Sequence, residues 1–465
     1  MANFARWVPA FAGMTAMWVG GVAPGARAIG LRRWIPAFAG ITRLAGAALI
    51  AAPLAAAPIA ITNANVMTGA GTTIEGATVV VDGGRIRSVG SGPAPAGATV
   101  IDGTGRTVTP GLVVGMSDLG LDEIEGVGQA NDTAAKKSPF SASLDVVPAL
   151  NPRDSEIAVA RTSGVTRAVV APSAARDIFA GQGALIRLAD GQDIVTRGRA
   201  FQLVELGEAG AENAGGSRTA SFALFRNALA EAQRFASGRG REGNRENIYP
   251  RADTEALVPV VEGRQPLVVH AERASDILSV LALKADFPRL RLVLFGAREG
   301  WTVADRIAAA HVPVITSAID DLPDAFETLA STRSNVGRML AAGVVVGLGT
   351  SGGESTNQPR NVTQFAGNLV AQGRLPSGVG VTRDQALSLI TKNPAEIFGM
   401  ADTGVIAPGK RADLVVWDGD PLEVTSAPVA VLIDGVPQPL ANRQTELRDR
   451  YRDLRHDTLP LEYRP

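Results

Sequence analysis

The sequence predicts an α/β protein: a largely parallel sheet covered by helices, joined to a small β domain assembled from both ends of the chain. Two observations carry this. First, apolar β-branched runs alternate with helical stretches through the middle: TRAVVAP (166–172), QPLVVHA (265–271), LRLVLFGA (290–297), VPVITSA (312–318) and VVVGLGT (344–350). Continuous Val/Ile/Leu runs, each followed by a helix pattern, fit a parallel sheet buried on both faces. Second, β-rich segments of similar texture flank this middle, at 59–108 and 410–438. A middle of about 290 residues suits an eight-stranded α/β barrel. A doubly wound open sheet fits the local pattern equally well.

The first 57 residues stand outside that fold. Residues 1–43 contain Arg6, Arg27, Arg32, Arg33 and Arg43 but no acid, and the first carboxylate is Glu75. They hold a near repeat, WVPAFAGMT from Trp7 and WIPAFAGIT from Trp34. Such a repeat, without hydrophobic periodicity, builds no core. It resembles a translated bacterial intergenic repeat element, which puts the expected working start further in. Arg43 then precedes LAGAALIAAPLAAA, Leu44–Ala57, too short for a bilayer span and ending in small residues. That is the pattern of a secretory signal peptide, with a membrane anchor or buried helix as the alternative. Export to the periplasm or beyond is expected, with no stable membrane insertion after cleavage.

Charge and cysteine content narrow the partners. Of 45 Lys and Arg residues five fall in the leader, so 40 basic side chains remain against 46 acidic ones. No basic stripe remains to hold phosphates, and nucleic acid is not an expected partner. The absence of cysteine excludes disulfides, Cys-ligated zinc and a thiol nucleophile.

The elements follow in order. IAITNANVMT and ATVVVDGGRIRSVG alternate around Asp82-Gly83-Gly84, a hairpin signal. TVTPGLVVGMSDLGL (107–121) supplies the first strand of the middle. Gly128–Pro152 reads as a loop excursion able to cover the sheet's mouth. In SRTASFALFRNALAEAQRFA, Ser217 caps a helix with Phe222, Phe225, Leu229 and Ala232 on one stripe. Ser237–Asp253 is a long polar loop; its Arg239, Arg241 and Arg245 suit either an anionic ligand or plain solvation. From Arg443 the charged tail reads as a solvated helix, a candidate contact in a homo-oligomer.

Several of these motifs resemble one family: DGGRIRSVG, IDGTGRTVTPGL, Gly164-Val165-Thr166 before a strand, and the long exit NPAEIFGMADTGVIAPGKRADLVVWDGDP. The chain resembles the imidazolonepropionase-like branch of the amidohydrolase superfamily. The resemblance decides for a (β/α)8 TIM-like barrel over 109–401, with a β-sandwich domain from 58–108 and 402–440 and a charged helical tail at 441–465. It implies hydrolysis of an amide, lactam or peptide-like C–N bond in a small molecule.

The resemblance also implies a ligand set that this chain does not carry. Members with the full set place two histidines in Asp-X-His-X-His after the first strand and a carboxylated lysine or a glutamate after the fourth. One histidine each follows the fifth and sixth strands, and an aspartate the eighth. Here the first-strand stretch is Val114-Gly115-Met116-Ser117-Asp118, and the histidines total three: His270, His311 and His456. His270 matches the fifth-strand ligand. Gly296 and Ala297 stand at the sixth, Ser351 stands for the aspartate, and no lysine lies between Lys137 and Lys284. A binuclear zinc centre is therefore not expected. What remains is no metal, or one weakly bound divalent ion on His270 and Asp118 beside Glu272. In that reading His270 and Asp118 are the candidate catalytic pair. Met116, Ser117, Glu272, Arg273, Thr350 and Ser351 line the pocket. His311 and His456 read as surface residues.

Two alternatives stand beside a hydrolase. One is a pseudoenzyme that binds a small ligand or partner without turning it over. The other is a serine hydrolase using Ser351, because Gly349-Thr350-Ser351-Gly352-Gly353 matches Gly-X-Ser-X-Gly after an apolar strand. That reading needs a later Asp and then a His, and His456 is the one His that follows.

Overall fold

The computed structural model describes residues 57–124, 126–238, 247–350 and 358–452. The repeat-bearing leader and nearly all of the signal stretch lie outside the described residues, as do Arg239, Arg241, Arg245, Ser351 and His456.

The β domain comes from both chain ends. Its strands are β1 (Ile59–Met67), β2 (Thr73–Asp82), β3 (Arg85–Gly90), β4 (Thr99–Asp102) and β5 (Thr107–Pro110). The expected turn at Gly83-Gly84, with both φ positive, joins β2 to β3. After it come the barrel strands: β6 (Leu112–Ser117), β7 (Val165–Val170), β8 (Phe179–Arg187), β9 (Val195–Glu205), β10 (Leu267–Ala271), β11 (Leu292–Gly296), β12 (Val314–Thr316) and β13 (Val346–Leu348). The chain then returns to the β domain as β14 (Leu414–Trp417), β15 (Pro428–Ile433) and β16 (Val436–Pro437). β5 lies between β1 and β14, so first and last strands share one sheet over a core of Ile61, Val66, Val79, Leu414 and Leu432.

The eight barrel strands follow one another in chain order across the second sheet. The backbone N–H and hydroxyl of Thr350 both donate to the Met116 carbonyl at 3.0 Å, drawing the end of β13 against β6. One strand departs from the expected parallel pattern: β8 runs antiparallel to both β7 and β9. The connections at 171–178 and 188–194 are too short for a parallel crossover, which needs a dozen residues or more.

Helices cover the outside: α1 (Ser155–Thr162), α2 (Gly207–Asn213), α3 (Arg218–Ala236), α4 (Arg251–Val261), α5 (Ala274–Asp286), α6 (Ala304–Ala309), α7 (Asn335–Ala341), α8 (Val362–Gln372), α9 (Arg383–Leu389), α10 (Lys392–Ile397) and the tail helix α11 (Arg443–Arg452). Ser217 caps α3 by accepting from Ala220 N–H; of the expected stripe Phe225, Leu229 and Ala232 are buried and Phe222 is half-buried. Inside the barrel, Val113, Val169, Phe201, Val268, Val293 and Ile315 pack with Ile397, Phe398 and Met400 from the exit motif. The Phe201 and Phe398 rings meet at 5.3 Å. Burial of each such side chain stabilises by about 1.5–3 kcal/mol. Because α10 lies at the strands' amino ends, where Asn393 bonds the Val346 carbonyl, the carboxyl ends are left for chemistry.

Candidate active site

Side chains alternate along a strand, so Phe201, Leu203 and Glu205 of β9 point the same way, as do Val268 and His270 of β10. The parallel register sets His270 opposite Glu205 on one side and opposite Phe295 of β11 on the other. That register brings the two polar ends together. His270 Nδ1 lies 2.7 Å from Glu205 Oε1, and Nε2 lies 3.0 Å from Glu272 Oε1. The imidazole also rests against the Phe295 ring, with centroids 4.9 Å apart.

Glu272 is fixed from a second side. Its Oε2 accepts from Arg298 N–H at 2.8 Å, and the Arg298 guanidinium spans Glu272, Asp320 and Asp324. Room for the Glu272 carboxylate comes from Gly296. A Cβ at that position would sit 2.6 Å from Glu272 Oε1 and 2.8 Å from His270 Cδ2, and its φ of +84° disfavours any other residue. Gly296 is one of the two positions, with Ala297, at which the resemblance implies a sixth-strand histidine.

Electrostatics follow from this packing. Burial alone pushes the His270 imidazole down, but Glu205 and Glu272 outweigh it and hold its pKa well above the ordinary value. Burial likewise pushes Glu272 up, yet His270 and Arg298 leave it below the usual carboxylate range. Arg298 loses to burial and gains more from Asp324, Asp320 and Glu272, ending above its ordinary value.

Glu205 and His270 end the fourth and fifth barrel strands, where the resemblance implies a glutamate and a histidine ligand, and a carboxylate oxygen faces each ring nitrogen. Among the described residues no group of three or more His, Asp or Glu side chains is placed to hold a metal.

Of the other sequence candidates, Ser351 lies outside the described residues. Asp118 is half-buried just past β6; after burial and Asp154, it adds to the rise of the Glu156 carboxyl on α1. Among the described residues, Glu205 and Glu272 hydrogen-bond the His270 ring. Met116 packs in the barrel interior, and the Ser117 hydroxyl donates to Val169 O. Arg273 turns to Asp276 on α5, while Thr350 holds the β13–β6 contact. His311 is exposed, with a φ of 52°, just after α6.

Sequence reasoning missed Glu205, Arg298 and Phe295. For Glu205 the usable signals were an apolar run, AFQLV, ending in a carboxylate, and the glutamate that the resemblance implies after the fourth strand, which is β9. The polar, exposed VTRGR stretch before it hid the strand.

Residues 287–440 match the model of the amidohydrolase family. Amidohydrolase tasK of Hapsidospora irregularis is 26% identical over 77% of this chain and 39% of its own length. The imidazolonepropionase of Cereibacter sphaeroides is 32% identical over 34% of this chain and 37% of its own. The chain thus spans less than two fifths of either curated relative. A crystal structure of an amidohydrolase from Thermotoga maritima superposes with a TM-score of 0.72 at 25% identity, covering 83% of this chain and 100% of that one.

Proposed function

The chain belongs to the amidohydrolase superfamily, in its imidazolonepropionase-like branch, and from that premise we propose that it hydrolyses a C–N bond in a small amide, lactam or peptide-like molecule. The observation that carries the reading is the line Glu205–His270–Glu272 at the carboxyl ends of the barrel strands. Glu205 is its outer member: its side chain is 20% exposed against 9% for Glu272. Oε1 of Glu205 is taken by His270, and among the described residues no hydrogen bond reaches Oε2.

Glu205 is then the catalytic base. It takes a proton from water as the oxygen attacks the carbonyl carbon, and returns that proton to the nitrogen as the C–N bond breaks. His270 is a positioning residue, locking Glu205 while Glu272 and Arg298 lock His270. The metal pair of a full ligand set has no role in this scheme; the chain carries no metal, or at most one weak divalent ion. Export, on the strength of Leu44–Ala57, is part of the same proposal.

The test is a panel of amides, lactams and dipeptides assayed beside metal analysis by inductively coupled plasma mass spectrometry. Glu205→Gln is expected to lower kcat/KM by about 10²–10⁴-fold, the usual share of a general base, in protein holding well under one metal equivalent. Unchanged turnover in that variant would remove Glu205 from the chemistry. A full equivalent of metal that His270→Ala loses would overturn the metal-free scheme.

A second reading, ligand binding without turnover, is favoured by one observation. Glu272 fills the space beside Gly296 that a ligand histidine would need. Binding of panel members by calorimetry, with no product formed at long incubation, would decide for it.

A further inference from the structure

A cavity of about 160 Å³ opens beside the carboxyl end of β7, and neither His270 nor Glu205 lines it. One water needs about 10–15 Å³ of such space, so the cavity has room for a small organic molecule. Three segments build it: the Gly128–Pro152 excursion, the turn from β7 into the antiparallel β8, and the residues leading into α4.

The walls divide by chemistry. Phe140, Phe179 and Ile248 make an apolar side, and the Phe179 ring meets Tyr249 edge-on at 5.5 Å. Asp177 and Asp253 stand on the polar side. Asp253 is consumed by the backbone: Ser141 N–H and Ser143 N–H donate to it at 3.1 and 2.8 Å, and the Ser143 hydroxyl at 2.6 Å. Asp177 is not consumed. Phe179 N–H (2.9 Å) and the Tyr249 hydroxyl (3.0 Å) both donate to Oδ1, Ile178 N–H also supports the carboxylate, and no side chain among the described residues hydrogen-bonds Oδ2.

Neither carboxylate forms an ion pair among the described residues. The nearby Arg176, at the rim, donates instead to the Ser138 carbonyl at 2.9 Å. Burial holds the Asp177 carboxyl above its ordinary value, and the charge of Asp253 adds to the rise. A half-buried carboxylate facing an aromatic wall, with no cation of its own, is a site for a cation with an apolar body.

We propose that this cavity binds an organic primary ammonium ion with an apolar body, its nitrogen at Asp177 and the Tyr249 oxygen and its body against Phe140 and Ile248. The site is separate from the Glu205–His270–Glu272 line. An α-amino acid and a simple amine both carry that chemistry. Arg176 at the rim would add contacts to the carboxylate of the former.

Isothermal titration calorimetry on the full chain tests this with 2-phenylethylamine, L-phenylalanine and neutral 2-phenylethanol as probes. One of the two ammonium probes should bind at least tenfold tighter than the alcohol. Asp177→Asn, which keeps both bonds at Oδ1, should erase that preference, while His270→Asn leaves it intact. If phenylalanine is the preferred ammonium, Arg176→Gln should reduce its affinity and spare the amine. Should Asp177→Asn fail to fold by near-ultraviolet circular dichroism, Tyr249→Phe serves in its place and should weaken the ammonium probe threefold or more. Equal binding of amine and alcohol, or ammonium binding indifferent to both the Asp177 and Tyr249 variants, overturns the proposal.

Discussion

At the scale of single residues, Gly296 sets how Glu272 packs against His270. The sequence offers Gly296 and Ala297 where the resemblance implies a histidine, but not what lies beside them. The answer is a carboxylate that a Cβ would strike. Gly296→Ala must adopt a positive φ and also push Glu272 away from His270. Such backbone positions cost about 1–3 kcal/mol for non-glycine residues. Urea unfolding should report a loss of that size, and activity on any panel substrate should fall with it. A neutral result would mean that Glu272 has another place to lie. His270 was legible in the sequence because it ends a strong apolar run. Glu205 left a fainter trace, the carboxylate that ends AFQLV, and its contact with His270 comes from lateral register between two strands that are 65 residues apart at this pair. No local pattern encodes that contact.

At the scale of elements, five of the eight barrel strands could be read as apolar runs of the middle, and β6 from its Pro-Gly-Leu lead. β8 and β9 could not. FAGQGALIR carries two glycines, which in a sequence argue for a turn. In the fold they are packing devices, since any side chain at Gly183 would collide with the Phe201 ring. The Gly128–Pro152 segment was legible as an excursion but not its anchor. Asp253, in the first turn of α4, grips it through Ser141 and Ser143. Asp253→Ala should therefore loosen the excursion more than the barrel. Hydrogen–deuterium exchange should show peptides from 133–144 exchanging about tenfold faster, the equivalent of about 1.4 kcal/mol, with β10 unchanged. Uniform acceleration across both would show that Asp253 supports the whole fold instead.

At the scale of the whole molecule, the split β domain was legible because its two halves share a texture, but its attachment to the barrel was not. A charged clamp provides it. Arg167 of β7 pairs with Asp413 at 2.5 Å and Asp434 at 2.8 Å, and Asp434 also takes Arg187 of β8 and Arg411. Burial pushes the Asp434 carboxyl up, but these three arginines prevail and hold it below the ordinary range. A carboxyl depressed in the folded state stabilises above its unfolded pKa, and the gain disappears as pH falls through the folded value. Asp434→Asn suits the positive φ of 51° at this position while removing the charge. It should cost about 1–3 kcal/mol at pH 7, and the gap from wild type should close as pH drops below about 4. A gap that persists at low pH would trace the loss to shape rather than charge. The sheet has a further consequence, for the order in which the chain is made. β5 needs β14 as its neighbour, and β14 lies about 300 residues downstream. At about 5–20 residues per second, translation leaves one edge of the first-made sheet open for roughly 15–60 s before its partner exists. Among the described strands, those made first are thus among the last to be completed, and that open edge must be kept from pairing elsewhere throughout the interval.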